Sequence, residues 1–220
     1  MTSLDNQTGY WNKVAYEKTF SHPFDMKRFS SLISKDRQIL DCGCGYGRIC
    51  KELWKDGYHF IHGVDTSSQM IERGKKKYPH LSLQTLSEDV LPFESDSFDA
   101  VILFAVLTCI PSDEGQKAIL RDVYRVLRDG GIIYASDYWL QEDKRNCLRY
   151  NASENKYKTY GFFELSDGAI LRHHDRKWIA ELFSIFNTIG MIDLDVVTMN
   201  GNKAKAFQYF GQKKEEINQG

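Results

Sequence analysis

The chain has 220 residues, 42% apolar and 27% charged, and its 29 basic and 30 acidic side chains leave a net charge of −1. That length buries a core without disulfide or metal staples and points to one domain spanning residues 1–220. The balanced charge excludes the basic excess with which nucleic-acid-binding proteins neutralise phosphates, so no nucleic-acid partner is expected.

The start, MTSLDNQTGYW, has neither the basic opening nor the apolar stretch of a secretion signal. The longest apolar run, AVILFAVL at 100–107, is eight residues, where a membrane helix takes about 20. A cytoplasmic protein with no membrane contact is expected. Cys42, Cys44, Cys50, Cys109 and Cys147 share no repeated spacing and read as reduced thiols.

In chain order, residues 9–20 and 23–33 read as two N-terminal helices and 38–40 as a short buried strand. Ile49, Cys50, Leu53 and Trp54 then recur at helical spacing. A second strand is expected at 59–65, with Thr66 or Ser67 capping a helix to about Lys77. Residues 81–86 form a third strand and 97–104 a fourth, apolar almost throughout, as a strand covered on both faces should be. Ser112 opens a helix that stops at Gly130-Gly131, and 131–139 is the fifth strand. Residues 140–172, polar and aromatic, break the alternation, with Ser166-Asp167-Gly168 as a turn. A late helix carries Trp178 to Phe186, and Asn200-Gly201 joins a closing hairpin of 192–199 and 204–210. Strand–helix alternation implies a parallel sheet with helices on both faces.

The stretch ILDCGCGYGRI at 39–49 leaves the first strand at its carboxyl end, where open parallel sheets bind ligands. Glycines there permit positive φ and let a ligand touch bare backbone. A dinucleotide site wants G-x-G-x-x-G, but Arg48 stands where its third glycine belongs, and the spacing is D-x-G-x-G-x-G. A metal clasp at Cys42 and Cys44 is not expected, because C-x-C offers two ligands with no second pair nearby.

This pattern resembles the first motif of the class I S-adenosylmethionine-dependent methyltransferases. The resemblance continues in Asp65, 18 residues past Gly47, in LPFESDSFDAVILF at 91–104, and in VYRVLRDGGIIY at 123–134. It implies a Rossmann-like α/β fold: a mostly parallel seven-stranded sheet with an antiparallel C-terminal hairpin strand. It implies S-adenosylmethionine as cofactor, S-adenosylhomocysteine as product, and methyl transfer by in-line displacement. In such a protein Asp41, Gly43, Cys44, Gly45 and Gly47 would hold the methionine part. Asp65 would take the ribose hydroxyls, with Thr66 and Met70 nearby, and Phe104 and Ala105 would line the methyl-donor pocket. The position that often carries an adenine-binding Asp is Ser87, where Glu88 or Asp89 substitutes.

Residues 1–34 would then be a helical cap, whose Tyr10, Trp11, Tyr16 and Phe20 either close over the cofactor or form a simple core stripe. Residues 140–172 would be a substrate lid. The acceptor is expected to be a small molecule with an N, O or S nucleophile, contacted by Trp11, Tyr138, Tyr157 and Tyr160. His173, His174 or Tyr16 would serve as general base, unless the two histidines only end a strand and start a helix capped by Asp175. His22, beside Pro23, reads as a turn residue. The competing functions are an NAD(P)-dependent oxidoreductase and a non-catalytic module that binds S-adenosylmethionine.

Overall fold

The computed structural model describes residues 5–87 and 90–215. Nine strands form in chain order: β1 (Ile39–Cys42), β2 (Ile61–Asp65), β3 (Ser82–Thr85), β4 (Phe98–Phe104), β5 (Leu127–Tyr138), β6 (Phe162–Glu164), β7 (Ile170–Arg172), β8 (Phe186–Val197) and β9 (Lys203–Lys213). Seven of them make one sheet in the order β3-β2-β1-β4-β5-β9-β8. The first five are parallel, and β9 runs antiparallel to both β5 and β8. Strands β6 and β7 form a separate antiparallel hairpin.

Both faces of the sheet are covered, so its central strands are apolar on both sides. Leu40, Cys42, Val101, Leu103 and Ile133 pack with α5 (Asp113–Val126) and α7 (Arg176–Leu182). Ile39, Ala100, Ile102 and Tyr134 pack with α2 (Met26–Leu32), α3 (Arg48–Lys55) and α4 (Ser68–Lys77) on the other face. Cys42 and Cys44 therefore lie in different cores. Local sequence sets several boundaries. The side chains of Ser67, Ser112 and Asp175 accept from Met70, Gly115 and Trp178 N–H and start α4, α5 and α7.

Several boundaries differ from the sequence expectation. The first helix, α1 (Thr8–Val14), stops early, and the chain beyond it turns across the sheet edge instead of continuing to residue 20. α5 ends at Val126 rather than at the glycine pair, because β5 already begins at Leu127. Gly130, at φ +72°, sits where pairing slips between Phe98–Leu127 and Ala100–Ile132, so the glycines make a bulge, not a helix stop. α7 ends at Leu182, and Phe186 opens β8, six residues earlier than expected. The insertion after β5 holds a helix, α6 (Lys144–Tyr157), that hydrophobic period did not reveal. Its sequence KRNCLRYNASENKY has too narrow an apolar stripe, and Asp143, accepting from Asn146 N–H, is what starts it.

Among the described residues no helix is long and apolar enough to cross a membrane.

Candidate active site at the carboxyl edge of the sheet

A deep cavity opens where β1, β2, β4 and β5 end. The N-terminal segment roofs it with Trp11, Phe20 and His22, and the insertion walls it with Arg145, Asn146, Arg149 and His173. Three anchors hold the roof down. Asn12 Oδ1 accepts from Ser67 Oγ and Gln69 N–H, and the Arg73 guanidinium donates to the Ala15 and Lys18 carbonyls at 2.7 Å each. Phe20 stacks on Tyr46 with ring centres 5.1 Å apart.

The glycine loop forms the floor. Gly43 N–H and Cys44 N–H both donate to the Val64 carbonyl, which folds the loop tightly back over β2. Gly43 and Gly45 have φ of +76° and +55°, and a Cβ on either would overlap Val106 or Phe20. Asp65, at the end of β2, ties the loop to α4. Its Oδ2 accepts from Gly45 N–H and its Oδ1 from Ser67 N–H, both at 2.8 Å. Each oxygen keeps a lone pair for a further donor, so the carboxylate can take two adjacent hydroxyls. Desolvation raises its pKa, and the two N–H bonds pull it back. Asp41, buried beneath the loop, is pushed up to about 6 by burial, while the Cys50 thiol, 3.2 Å away, and Arg48 favour its charged form.

Arg48, which breaks the dinucleotide spacing, is a wall residue. One of its terminal nitrogens donates to the His22 carbonyl at 2.6 Å and the other to Glu52 at 3.1 Å, leaving Nε buried without a partner. At the opposite lip Ala105 holds φ +54°, unusual for a residue with a Cβ, immediately beyond β4.

The histidines separate sharply. His173 and His174, adjacent in sequence, point apart. His173 lines the cavity, while His174 faces α5, its Nε2 at 2.9 Å from Gln116 Nε2. Burial lowers His174 to about 3, so the 3.9 Å approach to Asp137 is not an ion pair. Tyr150 Oη accepts from Gln141 N–H at 3.3 Å and shares a hydrogen bond with His173 Nδ1 at 2.5 Å. His22 is the unexpected one. Ser136 Oγ donates to the Phe207 carbonyl at 2.6 Å, so it must accept from His22 Nε2, also at 2.6 Å. The ring therefore carries its proton on Nε2, and Nδ1 is buried with a lone pair and no partner, in a residue that lines the cavity.

The described geometry coincides with known proteins. Residues 40–135 match the family model described as a methyltransferase domain. The chain is 40% identical over 144 residues to methyltransferase-like protein 27 of Homo sapiens, covering 64% of this chain and 56% of that protein. It is 29% identical over 140 residues to a ubiquinone/menaquinone biosynthesis C-methyltransferase of Campylobacter jejuni, covering 60% and 54%. The crystal structure of an S-adenosylmethionine-dependent methyltransferase from Methanosarcina mazei superposes with a TM-score of 0.83 at 24% identity, over 88% of this chain and 100% of that one. Residues 40–135 thus match a methyltransferase domain, and the chain shares the fold of S-adenosylmethionine-dependent methyltransferases. It spans about half the length of the curated relatives it matches.

Set against this family's motifs, Asp41, Gly43, Cys44, Asp65, Thr66, Met70, Phe104 and Ala105 all line the cavity, as do Trp11, Tyr138 and His173. Gly45 and Gly47 lie behind the lining and shape the loop. Ser87 is off the wall, where Leu86 stands instead; Glu88, with Asp89, lies outside the described residues. His174 and Tyr16 are not brought to the cavity, and Tyr16 is 56% exposed beyond the end of α1. Tyr157 and Tyr160 are also away from it. Tyr157 O–H donates outward to Glu164, and Tyr160 packs on the edge of Tyr150. Sequence reasoning missed His22, Arg48, Arg145, Asn146 and Arg149. For Arg48 the signal existed, a cation set directly against a ligand-binding glycine loop. His22 had none, since its partner Ser136 is 114 residues away.

Proposed function

We propose that this protein is an S-adenosylmethionine-dependent methyltransferase acting on a small-molecule acceptor. The observation that carries the reading is Asp65, anchored by one N–H on each oxygen to the glycine loop and to the start of α4. The residues present fit the cofactor. Arg48 Nε, buried and unpartnered beside the loop, suits a carboxylate, and Asp65 suits a ribose diol. Gly43 leaves bare backbone where an amino acid can lie. When bound, the cofactor supplies an electrophilic methyl group on a sulfonium.

The work left to the chain is positioning, drying and deprotonation. Phe104, Tyr138 and Trp11 give aromatic surface that favours a sulfonium and excludes water from it. Holding the acceptor in line supplies roughly 7–11 kcal/mol of the barrier. His22 Nδ1 takes the acceptor's proton. Its tautomer is fixed by Ser136, and burial, with the Arg48 charge, lowers its pKa to about 4, so at neutral pH Nδ1 is unprotonated. His173 Nδ1 is already paired with the Tyr150 hydroxyl, whereas His22 Nδ1 has no partner. The segment before β1 and the insertion 140–172 act as cap and lid over a closed site, which favours a small acceptor. Relatives named as C-methyltransferases add carbon to the N, O and S nucleophiles to be tried.

Thermal unfolding with S-adenosylhomocysteine, S-adenosylmethionine or NADH tests this. Ligand at 100 times its dissociation constant adds about 2.7 kcal/mol, or roughly 5–10 °C for a chain of this size. A rise with both adenosyl ligands and none with NADH is expected. A rise with NADH alone, or none with any of the three, overturns the reading.

A further inference from the structure

The far end of the cavity, away from the glycine loop, is built from α6. Arg145 and Arg149 lie four residues apart on that helix, and both line the cavity. Like charges at this spacing repel each other, so their convergence calls for a counter-charge. None of the described residues supplies enough. The nearest carboxylate to Arg145 is Asp143 at 4.0 Å, both side chains half-exposed, and Arg149 forms no ion pair among the described residues. Asp41 and Asp65 stand at the glycine loop and are already engaged there.

Arg149 is held in place rather than waving in solvent. Its guanidinium carbon lies 3.4 Å from the centre of the Phe163 ring, and its Nε is buried with no hydrogen-bond partner. A stacked, planar guanidinium is preorganised for a planar or tetrahedral oxyanion. Beside it Asn146 is fully buried. Its Nδ2 donates to Asp143 Oδ2, leaving Oδ1 buried and unpartnered on the cavity wall. His173 lines the same cavity, and both arginine charges reach it, each adding to the burial that lowers its pKa. Two buried polar atoms thus lack protein partners at one end of one cavity, the Arg149 Nε–H donor and the Asn146 Oδ1 acceptor.

We infer that this end of the cavity binds an anionic group of the methyl acceptor, a carboxylate or a phosphate, against Arg145 and Arg149. Asn146 Oδ1 takes a hydroxyl or amine hydrogen beside that group. The acceptor is therefore an acidic small molecule, oriented with its anion at α6 and its nucleophile toward His22. This assignment rests on the methyltransferase reading for the word acceptor, but not for the anion.

Calorimetric titration of the full chain, with and without saturating S-adenosylhomocysteine, tests it with 4-hydroxybenzoate, phenyl phosphate and neutral 4-hydroxybenzamide as probes. One or both anions are expected to bind, and the amide at least tenfold more weakly; which anion wins separates carboxylate from phosphate. Arg149→Met, which keeps the stack on Phe163, should weaken the anion roughly 10- to 100-fold and leave S-adenosylhomocysteine affinity unchanged. Arg145→Met, on the half-exposed side of the helix, should do so without risk to folding. Anions that bind no tighter than the amide, or affinities that both substitutions leave unaltered, overturn the inference. Anion binding that is lost in the variants, in a protein that does not bind S-adenosylhomocysteine, would sustain the anion subsite and remove the methyltransferase reading instead.

Discussion

Ser136 Oγ lies 2.6 Å from His22 Nε2 and, because its own proton goes to the Phe207 carbonyl, it can only accept. A strand in the middle of the sheet thereby decides the tautomer of a residue in the N-terminal roof, 114 positions earlier in the chain. The consequence is a single free lone pair on Nδ1, in a residue that lines the cavity.

His22→Ala should therefore reduce turnover by about 10²–10⁴-fold while leaving the dissociation constant of S-adenosylhomocysteine within a factor of about two of wild type. Because the folded His22 titrates near 4, it is neutral at every pH well above that. The rate should be flat from pH 6 to 8 as far as this group is concerned, and fall only toward pH 4. A rise centred near 6.5, the value of an unperturbed histidine, would assign the base elsewhere. Steady-state rates across that range decide it.

Asp65→Ala removes the acceptor of two backbone N–H groups and the acceptor proposed for two hydroxyls. Hydrogen bonds to a charged group contribute about 1.5–3 kcal/mol each, so S-adenosylhomocysteine affinity should fall by tenfold or more. Titration calorimetry measures this, and circular dichroism should report an intact fold, because β2 itself pairs through backbone groups on both sides.

Gly45 and Phe20 form a coupled pair. Gly45→Ala forces a Cβ into φ +55°, worth about 1–2 kcal/mol, and into the Phe20 ring. Phe20→Ala removes the obstruction and also the stack on Tyr46. The double variant should lose less stability than the sum of the singles, by about 1 kcal/mol. Urea unfolding of the four proteins gives the coupling directly, and strict additivity would mean the roof does not rest on the loop.

Asp137 gives a pH signature. It is buried, its oxygens accept from Thr108 and Tyr138 N–H, and burial raises its pKa from 3.8 to about 7. A carboxyl raised in the folded state favours folding relative to its charged form below pH 3.8, and that advantage is lost as pH rises through about 7. Asp137→Asn cannot ionise. Its stability relative to wild type should grow between pH 4 and 8 by up to about 4 kcal/mol, read from urea midpoints at the two pH values. A constant difference would show that the carboxylate is solvated in the folded state.

Much of the sheet was legible because its signals are local. β4 reads as a doubly buried strand from its own seven residues, and Ser67, Ser112 and Asp175 mark helix starts by hydrogen bonds that span three positions. The glycine loop and Asp65 were legible for the same reason, as one turn and one strand end. α6 was not. Its start depends on Asp143, and its inward face bears arginines and an asparagine rather than the leucines that periodicity detects. The glycine pair at 130–131 misled, because a positive φ serves a bulge as readily as a helix stop, and only the register against β4 distinguishes them.

By itself, then, the sequence determined the strand–helix alternation outside α6 and the ligand-bearing edge with its glycine motif, since each is written in short-range pattern. The tertiary structure alone decided which polar groups meet. It turned His173 toward the cavity and His174 toward α5, set His22 against Ser136, and brought Arg145 and Arg149 to the cavity wall. These pairings join residues that are distant in the chain, and burial then fixes their protonation. Neither the distance nor the desolvation is carried by any local stretch of residues.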